Sequence, residues 1–287
     1  MMNFSAEEVY NKSIELFSLP DVYFQLSKML NDSRYTSLDF AQVISKDPAL
    51  SVRLLKLVNS SYYGFPSRID TISRAVSVVG IKDLQNLVLA TSVVDTFHKI
   101  PDELVDMTSF WLRSVNCAVI AKILAKKCSI LHTERLFIAG LLHDLGSLIL
   151  YFQFPEQSKK ILEDAKYDRN RIIELENQLI GFNHVDVGAE LLRYWKLPDS
   201  LSESVMHYMN PEASKDYQLE AYILNLATCL CEVFTRTEQS QDALSKVPEA
   251  TLTMLNIKEQ DIEQILEQSK QEFSQVFTMV VPGQSAT

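Results

Sequence analysis

Apolar residues recur at spacings of three and four along nearly the whole chain, the period of an amphipathic helix, and prolines cut the pattern into helix-sized pieces. The pattern predicts helices over 5–17, 21–30, 36–44, 48–59, 71–80, 82–98, 103–127, 133–152, 155–166, 171–181, 184–195, 198–208, 218–234 and 257–276. Their ends carry the expected chemistry. Ser5-x-x-Glu8 is a capping-box pattern, Asp47-Pro48 supplies an N-cap followed by proline at the first helical position, Thr71 caps a later helix, and Gly80 is a C-terminal stop. The polar stretch 235–249 reads as a loop and 279–287 as a frayed tail. No alternating run is long enough to compete as a strand, so the fold class predicted is all-α, with Pro101-Asp102 separating residues 1–100 from residues 101–278.

Composition sharpens this and excludes several chemistries. Only 7 of 287 residues are glycine, where an average soluble protein carries about 7 per cent. Scarce glycine suits helices and leaves little room for phosphate-cradling loops. No G-x-G-x-x-G is present, and Gly140 to Gly146-Ser147 has the wrong spacing and no lysine for a Walker A loop. A P-loop ATPase or a classical dehydrogenase is thereby excluded. The net charge of -10 repels polyanions and argues against nucleic acid or an anionic membrane as partner.

The N-terminal residues carry Glu7 and Glu8 rather than a basic segment before an apolar run, so no secretory signal is read there. The most apolar segment noted, 221–231, is too short to span a bilayer. Cys117, Cys128, Cys229 and Cys231 lack C-x-x-C spacing and sit in apolar stretches, which fits reduced core thiols and a cytoplasmic protein.

Candidate chemistry concentrates at His143-Asp144, inside the apolar run Leu136-Phe-Ile-Ala-Gly-Leu-Leu-His-Asp-Leu-Gly-Ser-Leu-Ile-Leu150. An ionisable pair in so apolar a setting must be solvated, paired or metal-bound, because an isolated buried charge costs several kcal/mol. Further ligands would come from other helices, and His184 and His207 are the candidates. Simpler readings stand beside these: His143-Asp144 as a hydrogen-bonded core pair, His184 as a polar residue at a helix start, and His207 as a surface or partner-facing side chain. Trp111 and Trp195 read as core anchors, and Asn59-Ser60 as a polar turn. Gly140, Gly146, Gly181 and Gly188 flank His143-Asp144 and His184, where a small residue permits close helix approach.

The run Ala139-Gly-Leu-Leu-His-Asp144 resembles the signature of the HD superfamily, helical proteins whose active members hydrolyse phosphate esters with divalent metal. Leu19-Pro20, Ile44-Ser-Lys-Asp-Pro-Ala-Leu50, Val58-Asn-Ser60, Ile69 through Gly80, Phe110-Trp-Leu-Arg-Ser114, Gly181-Phe-Asn-His-Val-Asp-Val-Gly-Ala189 and Trp195-Lys-Leu-Pro198 are together similar to the HDOD family of bacterial signalling proteins. The resemblance covers about residues 20–233. It implies an N-terminal helical subdomain packed on an HD-like helical subdomain, and signal transduction through a protein partner in trans rather than catalysis. Since the resemblance fills most of the chain, no attached receiver domain is expected.

Carried over position by position, the resemblance marks losses. Arg113 stands where an HD hydrolase has the histidine of the preceding helix, and Thr228 where it has a late aspartate. His143, Asp144, His184 and His207 survive as a remnant metal set, while the second histidine of a His-His pair is Tyr208. A fixed guanidinium would oppose a cation, so Arg113 is expected to pair with Asp144 in the metal's place. No catalytic residue and no cofactor is assigned, beyond at most a weak divalent metal. The competing reading is a metal-dependent phosphohydrolase of a nucleotide or phosphate ester, using those four ligands.

Overall fold

The structure, a computed structural model, describes residues 17–30, 32–60, 63–97, 105–166, 168–235 and 247–281. Every element among the described residues is helical, as the apolar spacing predicts. In chain order they are α1 (Asp21–Leu30), α2 (Ser37–Ser45), α3 (Pro48–Val58), α4 (Ile72–Val79), α5 (Ile81–Phe97), α6 (Met107–Lys127), α7 (Thr133–Leu142), α8 (Leu145–Gln153), α9 (Pro155–Ala165), α10 (Arg169–Leu179), α11 (His184–Tyr194), α12 (Asp199–His207), a 3-10 turn (Pro211–Ala213), α13 (Gln218–Thr235), α14 (Glu249–Leu255) and α15 (Glu259–Val280). The Ser5 capping pattern, the Pro101-Asp102 boundary, most of the predicted loop and the end of the predicted tail lie outside the described residues.

Two expectations change. Helix α14 starts at the last residue of the predicted loop and runs through 250–255, for which no element is predicted; at seven residues it is too short to show a period, and Asn256 closes it with φ +51°. The single helix predicted over 133–152 is two, α7 and α8, with His143-Asp144 as the turn between them. Residues Thr133–Gln153 are long and apolar enough to cross a membrane by composition, at mean hydropathy 1.4, yet 78% of that window is buried inside the protein. This is the signature of a core helix pair.

Packing divides the described residues into two compact units, those within 19–97 and 267–281, and those within 17–18 and 105–266. In the first unit, the caps fall where the sequence places them. The Asp47 carboxylate accepts the Leu50 N–H at 3.0 Å, the Thr71 hydroxyl accepts the Arg74 N–H at 3.2 Å, and Gly80 turns the chain with φ +93°. Leu26, Ile44, Leu54, Leu57 and Val88 fill this core at 1% exposure or less. Arg53 and Asp95 tie α3 to α5 at 2.5 Å.

Asn59 closes the 59–69 loop from its side chain. Its Nδ2 donates to the Ile69 carbonyl at 2.6 Å and its Oδ1 accepts the Ile69 N–H at 2.7 Å, imitating one rung of a backbone ladder. Each such bond contributes roughly 1 kcal/mol net. Asn59→Ala is therefore expected to cost about 1–2 kcal/mol, with Asn59→Asp, which keeps only the acceptor, in between; urea midpoints of the three proteins would show a different order if the turn were held by the backbone alone.

In the second unit α6 is the central helix, buried continuously from Ser114 to Ala125. It packs against α7 and α13. Gly140 of α7 lies against the backbone of Cys117 and Ala118, so that an added Cβ would stand 2.7 Å from Ala118 Cα. Lys122, 3% exposed, meets Glu134 of α7 at 3.2 Å. Trp195 is an anchor as read from sequence, 1% exposed, and its indole N–H donates to the Phe17 carbonyl at 3.0 Å. These contacts fix α7, α8 and α11 around the His143-Asp144 turn.

Candidate functional site

His143 ends α7, one turn past Gly140, and is 2% exposed. Its Nδ1 lies 2.7 Å from the Gly140 carbonyl oxygen, and its Nε2 lies 3.2 Å from a guanidinium nitrogen of Arg169. A carbonyl only accepts and a guanidinium only donates. The network thus assigns one tautomer: Nδ1–H donates to Gly140, and the Nε2 lone pair accepts from Arg169. Burial drives the imidazole pKa down to about 4; Asp144 opposes this and Arg169 adds to it. The ring is neutral near pH 7.

Asp144 accepts from the Ser147 hydroxyl at 2.5 Å, a bond within the first turn of α8. Burial works against its charge, but His184, His143, Arg169 and, last, Arg113 hold the carboxyl below the usual carboxylate range. His184 opens α11 behind the Asn183 cap, whose side chain accepts the Val185 and Asp186 N–H groups. Its own backbone N–H, an orphan donor of the first helical turn, goes to Glu176 Oε2 at 3.0 Å, and its Nδ1–H to the same oxygen at 2.6 Å. Burial disfavours the imidazolium; the Glu176 carboxylate and then Asp144 outweigh it and raise the pKa. Its Nε2 faces Tyr208 Oη at 3.4 Å and Asp144 Oδ1 at 3.9 Å. The Tyr208 ring stands edge-on to His143 with centroids 5.6 Å apart. The neutral His143 thus stands beside the Arg169 guanidinium and the Asp144 carboxylate, and Glu176 favours the charged form of His184.

The two histidines pull stability in opposite directions with pH. The folded pKa of His143 is depressed, so the unfolded chain takes up its proton first, near 6.5, and stability falls between pH 6.5 and about 4. That drop corresponds to roughly 3 kcal/mol. His184 has a raised pKa, so its contribution is complete below 6.5 and is lost as pH climbs through the folded value. Urea unfolding from pH 4 to 9 is expected to peak near pH 6.5. His143→Gln should flatten the acid limb between 6.5 and 4; an unchanged slope would refute the assignment.

The sequence-selected residues separate in space. His143, Asp144 and His184 meet. His207 does not join them: it pairs with Glu203 one turn back, Nε2 to Oε2 at 3.2 Å. Its neighbour Tyr208 is the residue that faces the centre. Thr228 is 1% exposed and its hydroxyl donates to the Asn225 carbonyl of its own helix at 2.8 Å. Arg113 makes no hydrogen bond or ion pair with Asp144 among the described residues; its carbonyl accepts from the Cys231 thiol at 3.2 Å. The expected Arg113–Asp144 pair is corrected accordingly. The guanidinium that touches the centre is Arg169, supplied by α10 twenty-six residues after His143.

As placed, these side chains do not form a three-ligand metal site. Among the described residues no three His, Cys, Asp or Glu side chains converge as a metal would need. The His143 lone pair faces a cation, the Arg169 guanidinium. Sequence reasoning missed Arg169 and Glu176. The predicted helix starts at residue 171 and leaves Arg169 outside it.

Comparison with known proteins gives a family match and several likenesses. The family model for the HDOD domain matches residues 16–211. A crystal structure of a "putative phosphohydrolase" from Shewanella amazonensis SB2B superposes with TM-score 0.74 at 26% identity, covering 95% of this chain and 97% of that one. An HDOD domain protein with unknown function from Geobacter sulfurreducens gives 0.75 at 21% identity, covering 96% of each. An uncharacterized protein of Treponema pallidum (strain Nichols) is 28% identical over 217 residues, which is 74% of this chain and 41% of the relative's length. The chain thus spans less than half of that curated relative.

Proposed function

Since the chain belongs to the HDOD family, we propose that it is a non-enzymatic bacterial signalling module that works in the cytoplasm by binding a protein partner in trans. The observation that supports this reading is the centre's self-sufficiency. Each nitrogen of His143 has a partner, His184 Nδ1 is held by Glu176, and Asp144 by Ser147. A hydrolytic metal needs deprotonated ligands and an open position for water. A guanidinium, always charged, offers neither Lewis acidity nor an exchangeable water. With a net charge of -10, the surface favours a protein partner over nucleic acid.

One observation favours a second reading. Asp144 Oδ1 and His184 Nε2 face each other at 3.9 Å, a span that one metal ion could bridge, and the Shewanella relative carries a phosphohydrolase description. The two readings separate in one experiment. Protein purified without chelator is analysed for metal and assayed on nucleotides and phosphate esters with Mn²⁺ or Mg²⁺. No stoichiometric metal and no turnover is expected; bound metal with turnover abolished by His143→Ala would establish the hydrolase instead.

A further inference from the structure

Helices α9 and α10 form a hairpin with a small apolar cluster of its own, Ile161, Ala165 and Leu175 backed by Ile172 and Ile180. The hairpin packs on α8, where the Ser158 hydroxyl donates to the Leu150 carbonyl at 3.2 Å. Helix α10 also reaches the HD centre. Arg169 and Glu176 are seven residues apart, so they project from one side of the helix, about 10 Å apart along its axis. Arg169 reaches His143 at 3.2 Å, and Glu176, 3% exposed, reaches His184 at 2.6 Å. The rest of α10 is largely exposed, with Arg171, Glu174, Asn177 and Gln178 in solvent.

Both histidines singled out in the centre are therefore met by one helix, through side chains of opposite charge. A half-buried arginine and a buried glutamate need specific partners, because a charge withdrawn from water without one is costly. His143 offers a lone pair to the guanidinium, and His184 offers its ring N–H and its backbone N–H to the carboxylate. The complementarity is chemical at both ends.

We infer that the HD centre of this chain is a docking site for a helix face bearing an arginine and a glutamate two turns apart, and that α10 is its resident occupant, latching the α9–α10 hairpin over His143 and His184. The latch deepens the non-enzymatic reading by naming what fills the centre. It does not depend on a partner being found. Segments with few apolar contacts open locally, below the free energy of global unfolding, and the hairpin's small cluster places it in that class.

Hydrogen exchange by mass spectrometry on the full chain tests this. Arg169→Met keeps the aliphatic stem and removes the guanidinium. Hydrogen bonds to charged groups are strong enough that amides of 155–180 are expected to exchange roughly ten- to hundredfold faster, with α6, α7 and α13 unchanged. Glu176→Gln should produce the same regional pattern more mildly, and serves as the reporter if Arg169→Met does not fold. Unchanged exchange in 155–180, or equal acceleration in every helix of the unit, would overturn the latch. Turnover and partner capture are not read in this experiment, so its failure is distinct from failure of the functional reading.

Discussion

Gly146→Ala is expected to be the most damaging single-methyl change in the protein. A Cβ at this position would stand 1.9 Å from the His184 carbonyl oxygen, 2.6 Å from the Gly188 nitrogen and 2.9 Å from the His184 carbonyl carbon. All three are backbone atoms, so no rotamer can relieve the clash and α8 must move from α11. Overpacking with flexible neighbours costs typically 1–3 kcal/mol; with rigid ones the expected loss exceeds about 3 kcal/mol. The displacement also carries His184 away from Asp144 and Tyr208, so the centre loosens with the fold. Gly188→Ala is the control on the facing helix: its Cβ would meet only ordinary contacts, beginning at 3.5 Å. Removing a helix-interior glycine gains up to about 1 kcal/mol, so this variant should be neutral or slightly stabilised. Thermal or urea unfolding of the pair decides it; equal losses would mean that close approach of α8 and α11 is not why position 146 is glycine. Gly181→Ala should fall between them for another reason, since its φ of +102° is strained for alanine although nothing lies within 4 Å.

These glycines also show how much of the site was legible. The sequence pattern placed Gly140 and Gly146 beside His143-Asp144 as points of close approach, and the backbone contacts bear that out; Gly181 instead supplies a turn conformation that spacing does not reveal. Helix starts at Asp47 and Thr71 were readable because capping is local chemistry, settled within three residues. The break at His143-Asp144 was not, because apolar period alone cannot distinguish one buried helix from two end to end. The choice of Tyr208 over His207 could have been made from phase. Leu201, Val205 and Tyr208 fall on one buried row of α12, whereas His207 shares the other side with Glu203. Arg169 was beyond reach in a stronger sense: its partner lies twenty-six residues away, and only the tertiary fold says which arginine arrives. Arg113 lies near enough to favour the Asp144 charge, yet makes no hydrogen bond or ion pair with it among the described residues.

Glu176→Ala is expected to cost about 3–5 kcal/mol at pH 6, the range for breaking a buried ion pair from one side. The truncation strands two donors at once, the backbone N–H and the Nδ1–H of His184, which now share Glu176 Oε2. It also leaves the imidazolium with Asp144 at 3.9 Å as its nearest counter-charge. The penalty must shrink with rising pH. The folded pKa of His184 is raised, so the pair's contribution is present in full below the unfolded value near 6.5 and declines as pH climbs through the folded one. Above that value the histidine is neutral and the mutation removes hydrogen bonds but no ion pair. Glu176→Gln divides the two effects, because its amide oxygen can accept both hydrogen bonds while carrying no charge. Its loss at pH 6 should be about 1–2 kcal/mol, and its stability should no longer decline on the alkaline side. Urea unfolding of wild type, Glu176→Ala and Glu176→Gln at pH 6 and pH 9 reads these differences. A Glu176→Gln protein with the wild-type alkaline slope would show that some group other than His184 sets it.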